Sequence, residues 1–211
     1  MKIITSWCVY FFTTSLSAQA LDRLSFNVGG GLTEPVLNTA KNVNEGTNVQ
    51  GGVGYNFSPR LGAMIETEYD SFAITKSALS TLGVPNGFPG GRVQTRSFTL
   101  RPMWHLHPTG TWDVYVTGGG GLYERSQQLT ASTVANATGY NPFFGFNTPG
   151  YPASGIALSY TVIKPGVDAG AGVSLKIKWH LKLYAEVKYN HLFMGSLGHM
   201  DYAPISVGVR W

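Results

Sequence analysis

Residues 181–190 have the sequence LKLYAEVKYN, in which two kinds of side chain alternate without interruption. One set is Leu181, Leu183, Ala185, Val187 and Tyr189, and the other is Lys182, Tyr184, Glu186, Lys188 and Asn190. A period of two places the two sets on opposite faces of a β-strand. This stretch therefore predicts a strand with one apolar and one polar face.

The same alternation recurs along the chain, over residues 24–33, 49–57, 61–70, 95–106, 112–124, 160–175 and 203–211. Most of these segments are about ten residues long, which is the length that a tilted strand needs to cross a bilayer. Together with residues 181–190 they make eight predicted strands.

The connections between these strands alternate between short and long. The short ones are 58–60, 107–111 and 178–180, and the long ones are 34–46, 71–92, 126–158 and 194–201. Short periplasmic turns and longer outer loops are typical of transmembrane barrels, whereas a soluble sandwich has no reason to keep this order. In lipid an open sheet edge would leave backbone groups unpaired. We therefore predict an all-β, eight-stranded antiparallel up-and-down transmembrane β-barrel.

The composition excludes several other classes of protein. Glycine accounts for 27 of 211 residues, charged residues make up 12% of the chain, and Cys8 is the single cysteine. A disordered chain would carry more charge, and a disulfide scaffold would need more cysteines. The formal net charge of +4 is scattered, with no Lys/Arg cluster that would predict nucleic-acid binding.

The first twenty residues have the features of a signal peptide. Lys2 precedes a mostly apolar run over residues 3–12, and Ala18-Gln19-Ala20 has the A-x-A form of a cleavage site. We expect cleavage after Ala20, so that residues 1–20 direct export and residues 21–211 form the barrel domain.

The tryptophans outside this segment mark one edge of the predicted barrel. They lie at or beside the strand ends that meet the short turns: Trp104, Trp112, Trp179 and Trp211. Indole rings favour the membrane–water interface, so we expect an aromatic girdle here. Tyr69 and Tyr189 lie at the opposite strand ends and could form part of a second girdle. The alternative is that these rings are core aromatics of a soluble β-domain.

Six charged side chains lie on the predicted inward face, namely Glu66, Glu68, Arg101, Asp168, Glu186 and Lys188. Neighbouring strands carry Glu66 with Arg101 and Asp168 with Lys188, so we expect these two pairs to form. Eight strands leave an interior just wide enough for side chains, and inward glycines such as Gly172 leave room for larger ones. We predict a stabilising polar core. A gated ion path is the alternative.

The pattern of strands, the signal segment and two further stretches carry a family resemblance. Residues 203–211 (APISVGVRW) and 183–191 (LYAEVKYNH) resemble the closing and penultimate strands of small outer-membrane β-barrels related to OmpA and OmpX. The resemblance implies the outer membrane of a Gram-negative bacterium and contact with its lipid and lipopolysaccharide. It also implies that Val207, Val209 and Trp211 form the signal for the outer-membrane assembly machinery, with tryptophan where phenylalanine is commoner.

Some barrels that resemble this one modify lipid A. The palmitoyltransferase type uses a His with an Asp-Ser pair; Asp70-Ser71 is such a pair, but the first outer loop contains no His. The deacylase type uses a nearby His and Ser, for which the candidates are His191, Ser196 and His199. A nucleophile needs a base and an orienting group within reach, and the sequence does not supply that set. We predict no catalytic residues.

Two further features bear on partners. His105 and His107 share a strand face near a short turn, where we expect interface side chains rather than metal ligands, and we predict no cofactor. The loop 126–158 is rich in aromatics and nearly uncharged, so it either recognises an extracellular partner or packs over the barrel mouth. With loop 71–92, it favours a structural or surface-interaction role. A narrow channel for small solutes is the alternative, followed by a lipid A enzyme.

Overall fold

The computed structural model describes residues 23–81, 90–108, 110–133, 139–141, 146–148, 153–178, 181–195 and 198–211. The predicted signal segment and Trp179 lie outside these residues. So do residues 82–89 of the predicted loop 71–92 and most of residues 134–152 of the predicted loop 126–158. Among the described residues, no helix has the length and hydrophobicity that crossing a membrane requires.

Eight long strands dominate the described chain. They are β1 (Leu24–Pro35), β2 (Val43–Asn56), β3 (Leu61–Ile74), β4 (Gly90–His105), β5 (Trp112–Thr133), β8 (Ala153–Lys178), β9 (Leu181–Gly195) and β10 (Gly198–Arg210). Two three-residue strands, β6 (Gly139–Asn141) and β7 (Phe146–Thr148), pair with each other. A 3₁₀ turn covers Thr39–Lys41, and a short helix, α1, covers Lys76–Thr81.

The eight long strands close into an antiparallel barrel in the order β1-β10-β9-β8-β5-β4-β3-β2. Closure is made by β1, in which Gly29 lies opposite Gln50 of β2 on one side and Gly208 of β10 on the other. Every barrel strand therefore has two hydrogen-bonded neighbours, as a sheet surrounded by lipid requires. The predicted fold class is confirmed.

The two ends of the barrel differ in their connections. At the end called here the turn end, residues 57–60 join β2 to β3, and residues 106–111 join β4 to β5. Ser58 shapes the first turn, because its Oγ accepts a hydrogen bond from the Leu61 N–H at 3.0 Å. The opposite end, called the loop end, carries the longer connections, including the 3₁₀ turn and α1. The predicted long connection over 194–201 is wrong, because β9 extends to Gly195 and β10 begins at Gly198.

Several strands continue further toward the loop end than the sequence predicts. β5 and β8 have 22 and 26 residues, about twice the length that a span needs, and they stay paired as far as Thr133 opposite Ala153. The prediction of a loop over the whole of 126–158 is therefore wrong at both ends. Outside the bilayer, both faces of a strand are in contact with water. Such a strand is paired through its backbone hydrogen bonds and needs no alternation of apolar and polar side chains.

The barrel has its apolar side chains outside and its charged side chains inside. Leu100 and Val207 are about 60% exposed on the outer surface, at 58% and 62%, whereas Arg101 and Glu66 are 1% and 2% exposed in the interior. A soluble protein would bury the first pair and expose the second. The outer surface is therefore suited to lipid and the interior to ion pairs.

Candidate functional site

The six predicted interior residues, called here the charge network, meet in the middle of the barrel. Arg101 of β4 donates to three carboxylates on three different strands: Glu66 Oε1 at 2.8 Å, Asp168 Oδ1 at 2.8 Å and Glu186 Oε1 at 2.9 Å. A guanidinium has a planar fork of five N–H donors, which suits it to several carboxylates at once. Arg101 therefore connects β3, β4, β8 and β9 across the lumen.

Lys188 of β9 is the second cation of the charge network. Its Nζ donates to Glu66 Oε1 at 2.8 Å, to Gln50 Oε1 at 2.6 Å and to Glu68. Because Glu66 accepts from both cations, it joins the Arg101 and Lys188 contacts into one network. Glu68 also accepts from Asn190 Nδ2 at 3.4 Å.

The structure changes one predicted pair. Glu66 and Arg101 are bonded, but the expected pair of Asp168 and Lys188 is not formed, because Asp168 accepts from Arg101 instead. The Lys188 side chain passes beside Gly170, where an added Cβ would lie 3.0 Å from Lys188 Cγ. The missing side chain leaves Lys188 free to cross the lumen toward β3.

Neutral polar side chains complete the charge network and were not identified from the sequence. Asn27 Nδ2 donates to Glu66 Oε2 at 2.9 Å, and the Tyr115 hydroxyl donates to Glu186 Oε2 at 2.8 Å. Gln50 Nε2 donates to the Tyr184 hydroxyl at 2.9 Å. All four lie on inward positions of their strands, so strand parity alone could have found them; the sequence argument considered charged residues.

Between the charge network and the loop end, the interior becomes apolar. A buried cluster, called here the loop-end cluster, fills this part of the lumen and includes Leu79 from α1. Its other buried members are Val43, Phe72, Ile74, Val93, Tyr123, Leu129, Leu192, Met194, Met200 and Tyr202. The barrel is therefore filled in two layers, one of ion pairs and one of packed apolar side chains.

At the turn end the interior opens into a cavity of about 790 Å³, called here the turn-end cavity. Its lining includes four cations, Arg23, Lys176, Lys182 and Arg210, together with Phe26, Met103 and Trp211. His105 also lines it and shares a short hydrogen bond with Asp113, with Nδ1 and Oδ2 2.5 Å apart. Charge at this end is thus mostly positive.

The predicted interface residues lie on the outer surface. Trp104, Trp112 and Trp211 are all about half exposed or more and lie near the turn end. Trp211 stacks on Phe26, with ring centroids 5.8 Å apart. Val207 is exposed and Val209 half-buried, both on the outward face of β10. Tyr69 and Tyr189 lie nearer the loop end, and Arg96 stands over the Tyr69 ring.

The described residues among those considered for catalysis do not assemble into a triad. Asp70 is buried in the lumen, where its Oδ1 accepts from the Thr33 hydroxyl at 2.6 Å. Ser71 is the next residue of the same strand and so faces the other side of the sheet. Ser196 lies outside the described residues.

His191 and His199 instead flank Asp201 beyond Tyr189 at the loop end. His191 Nδ1 lies 2.6 Å from Asp201 Oδ1, His199 Nε2 lies 3.3 Å from Oδ2, and the Tyr189 hydroxyl donates to Oδ1 at 2.6 Å. Burial raises the pKa of Asp201, but the hydrogen bonds from Tyr189 and His191 outweigh burial and leave the pKa below its usual value. Within the described part of the chain, no three His, Cys, Asp or Glu side chains are placed to hold a metal ion.

Several solved structures share this architecture. Neisserial surface protein A matches with a TM-score of 0.52 at 13% identity, over 89% of this chain and 94% of its own. A major outer membrane protein from Thermus thermophilus matches with a TM-score of 0.51 at 9% identity, over 89% of this chain and 98% of its own. OprG from Pseudomonas aeruginosa matches with a TM-score of 0.50 at 12% identity, over 89% of this chain and 95% of its own. At these identities the likeness concerns the fold.

No curated protein sequence matched this chain. A family model did: the outer membrane protein beta-barrel domain matches residues 8–211. That range spans all eight barrel strands, and it agrees with the closed antiparallel architecture and the apolar outer surface. The expected resemblance to small outer-membrane barrels is confirmed, and the chain belongs to the outer membrane protein beta-barrel domain family and resides in the outer membrane.

Proposed function

We propose that this protein is a closed outer-membrane barrel with a structural or surface-interaction role and no open pore. The observation that carries this proposal is the filled interior. Arg101 bonds three carboxylates across the lumen, and the loop-end cluster packs above the charge network. A solute would have to break buried ion pairs, each at a cost of about 3–5 kcal/mol, and then displace packed apolar side chains.

The paired loop-end segments of β5 and β8 support a role in surface interaction. β5 and β8 stay paired up to Thr133 opposite Ala153, three residues beyond the last described pair of β5 with β4, which is Thr130 with Gly90. The segment between them contains five aromatic residues by sequence, namely Tyr140, Phe143, Phe144, Phe146 and Tyr151. Loops that a rigid scaffold positions often carry recognition, and aromatic residues are common where proteins meet a partner. We propose that it contacts an extracellular partner together with loop 71–92, while the barrel wall contacts lipid and lipopolysaccharide.

The recognition role can be tested by removing the segment between β5 and β8 while leaving the barrel strands intact. Replacing residues 134–152 by Asn-Gly joins two residues that already face each other and suits a two-residue hairpin turn. The full-length and shortened barrels, tagged and purified in detergent, are incubated with host-cell and bacterial surface extracts. We expect partners that the full-length barrel captures and the shortened one does not. Equal capture by both would contradict the proposal.

The closed lumen can be tested by planar-bilayer recordings on the purified barrel. We expect no steady unit conductance, because both layers block the lumen. The second candidate function, a narrow channel, has in its favour the turn-end cavity, which reaches as far as Arg210. Steady conductance that changes in Glu66→Gln or Arg101→Met would favour the channel and contradict a closed barrel.

We also propose that the barrel has no enzymatic activity. In support, Asp70 and Ser71 face opposite sides of β3, and the two histidines near Asp201 are held on that carboxylate. Expression in a strain with a known lipid A composition tests this, with lipid A mass spectrometry as the measurement. We expect an unchanged spectrum, and the gain or loss of an acyl chain would overturn the proposal.

Assembly is the remaining proposed interaction. Val207, Val209 and Trp211 occupy outward positions on the last strand, where an assembly factor could read alternate side chains as the strand is added to the sheet. We propose that these three residues form the recognition signal for the outer-membrane assembly machinery.

A further inference from the structure

The turn-end cavity carries an unusual row of like charges. In the strand register, Lys182 of β9 lies directly opposite Lys176 of β8 on one side and Arg210 of β10 on the other. The three residues share the inward face and line the cavity. Like charges directly opposite each other on neighbouring strands destabilise a sheet. Three in one row therefore need either a compensating acid or a ligand.

The described residues supply little compensating acid. Asp113 lines a smaller cavity of about 300 Å³ that shares Lys176 and Lys182 with the turn-end cavity, and one of its oxygens is held by His105. Glu186 lies behind Arg210, with Oε2 3.9 Å from Nη2, and is already bonded to Arg101 and Tyr115. The described side chains that line the turn-end cavity thus include four cations and no carboxylate, and Asp113 borders the adjoining smaller cavity.

Aromatic rings hold Arg210 more closely than its one distant carboxylate does. Its guanidinium lies over the rings of Tyr115 and Tyr184, 4.7 and 5.0 Å from their centroids. Its Nη2 donates to the Tyr115 hydroxyl at 3.3 Å, Nη1 contacts Met103 Sδ at 3.4 Å, and Nε has no hydrogen-bond partner in the part of the chain that the structure describes. Arg210 is 5% exposed. A buried guanidinium whose nearest carboxylate oxygen is 3.9 Å away is a suitable floor for an anion site.

We propose that the turn-end cavity binds a small polyanion, through Arg210 at its floor and Lys182 and Lys176 toward its mouth. Phosphate and carboxylate oxygens both accept charge-assisted hydrogen bonds from such cations. A volume of about 790 Å³ lies within the range of about 300–1,000 Å³ that small-molecule sites occupy. Arg23 lines the same space and adds a fourth positive charge. Since we predict that short turns face the periplasm, the ligand would come from that side.

The test uses the full barrel purified from membranes in detergent at low ionic strength. Isothermal titration calorimetry with inorganic pyrophosphate and, separately, with citrate distinguishes phosphate from carboxylate chemistry. We expect saturable binding that weakens about tenfold in Lys182→Gln and in Lys176→Gln, as one charge-assisted hydrogen bond is lost. Lys182→Arg should restore binding, since it keeps the positive charge.

Lys76→Gln is the matched control, because it removes the same charge from the exposed start of α1 at the loop end. It should bind as tightly as the unaltered barrel. Heat-dependent gel mobility verifies that each variant is folded, so that loss of binding is not loss of the barrel. Equal weakening by Lys76→Gln, or no binding of either anion up to about 10 mM, would overturn the proposal.

Discussion

Arg101 and Arg210 are both buried arginines on inward faces, yet they lie in opposite surroundings. Arg101 has three carboxylates within 2.8–2.9 Å, whereas the nearest ion-pair oxygen to Arg210 is 3.9 Å away and its close neighbours are two tyrosine rings. The first is saturated and joins four strands. Arg210 lines the turn-end cavity and has only one carboxylate near it, at 3.9 Å. Position along the lumen, rather than residue type, decides whether a cation is structural or available to a ligand.

The largest expected effect comes from removing each guanidinium in turn. Arg101→Met leaves the buried Asp168 carboxylate without a cation and removes one charged partner each from Glu66 and Glu186. It should lower the free energy of unfolding by roughly 3–5 kcal/mol or prevent folding. Arg210→Met loses two cation–π contacts and should cost about 1–2 kcal/mol. Urea unfolding of the barrels in phospholipid vesicles measures both. Equal losses for the two variants would break the comparison.

The sequence predicts which side chains enter the lumen, because a strand has a period of two and each wall segment has one apolar face. Glu66, Arg101 and Lys188 all lie inside for this reason. It does not predict which of them meet. Lys188 bonds to Glu66 and Glu68, which lie across the lumen rather than on a neighbouring strand, and it passes Gly170 to reach them. Contacts across a barrel depend on its closure and stagger, and these are not local properties of a strand.

The same reasoning from strand parity also predicts that residues of the loop-end cluster face the lumen. Phe72 and Ile74 continue the inward positions of Glu66 and Glu68 on β3, so parity places them inside. The sequence pattern does not predict that β5 and β8 extend so far toward the loop end. Residues 126–133 are mostly polar on both faces, and a strand that leaves the bilayer carries no apolar alternation by which to recognise it.

A smaller effect is expected where the two regions meet, at Tyr115, which contacts both Glu186 and Arg210. An added Cβ at Gly172 would lie 2.5 Å from Tyr115 Cζ and 2.8 Å from the Ala185 carbonyl oxygen, so Gly172→Ala should displace the ring and strain the β8–β9 pairing. Overpacking of this kind costs about 1–3 kcal/mol. Gly51→Ala is the control, because its nearest neighbour would be the Asn27 carbonyl oxygen at 3.6 Å. The free energy of unfolding in urea measures both, and equal values for the two variants would show that Tyr115 is not tightly held.

The smallest expected effect separates the two regions by their response to salt. The Lys176–Lys182–Arg210 row opens toward water, so added ions should screen its repulsion, whereas the fully buried charge network should not respond. Raising sodium chloride from about 0.05 to about 0.5 M should therefore stabilise the unaltered barrel by about 0.5 kcal/mol or less. In Lys182→Gln the central charge of the row is gone, so this gain should shrink, while in Lys76→Gln it should persist. A gain of equal size in all three barrels would mean that salt acts elsewhere on the surface, and that the row is already neutralised by a group bound within the cavity.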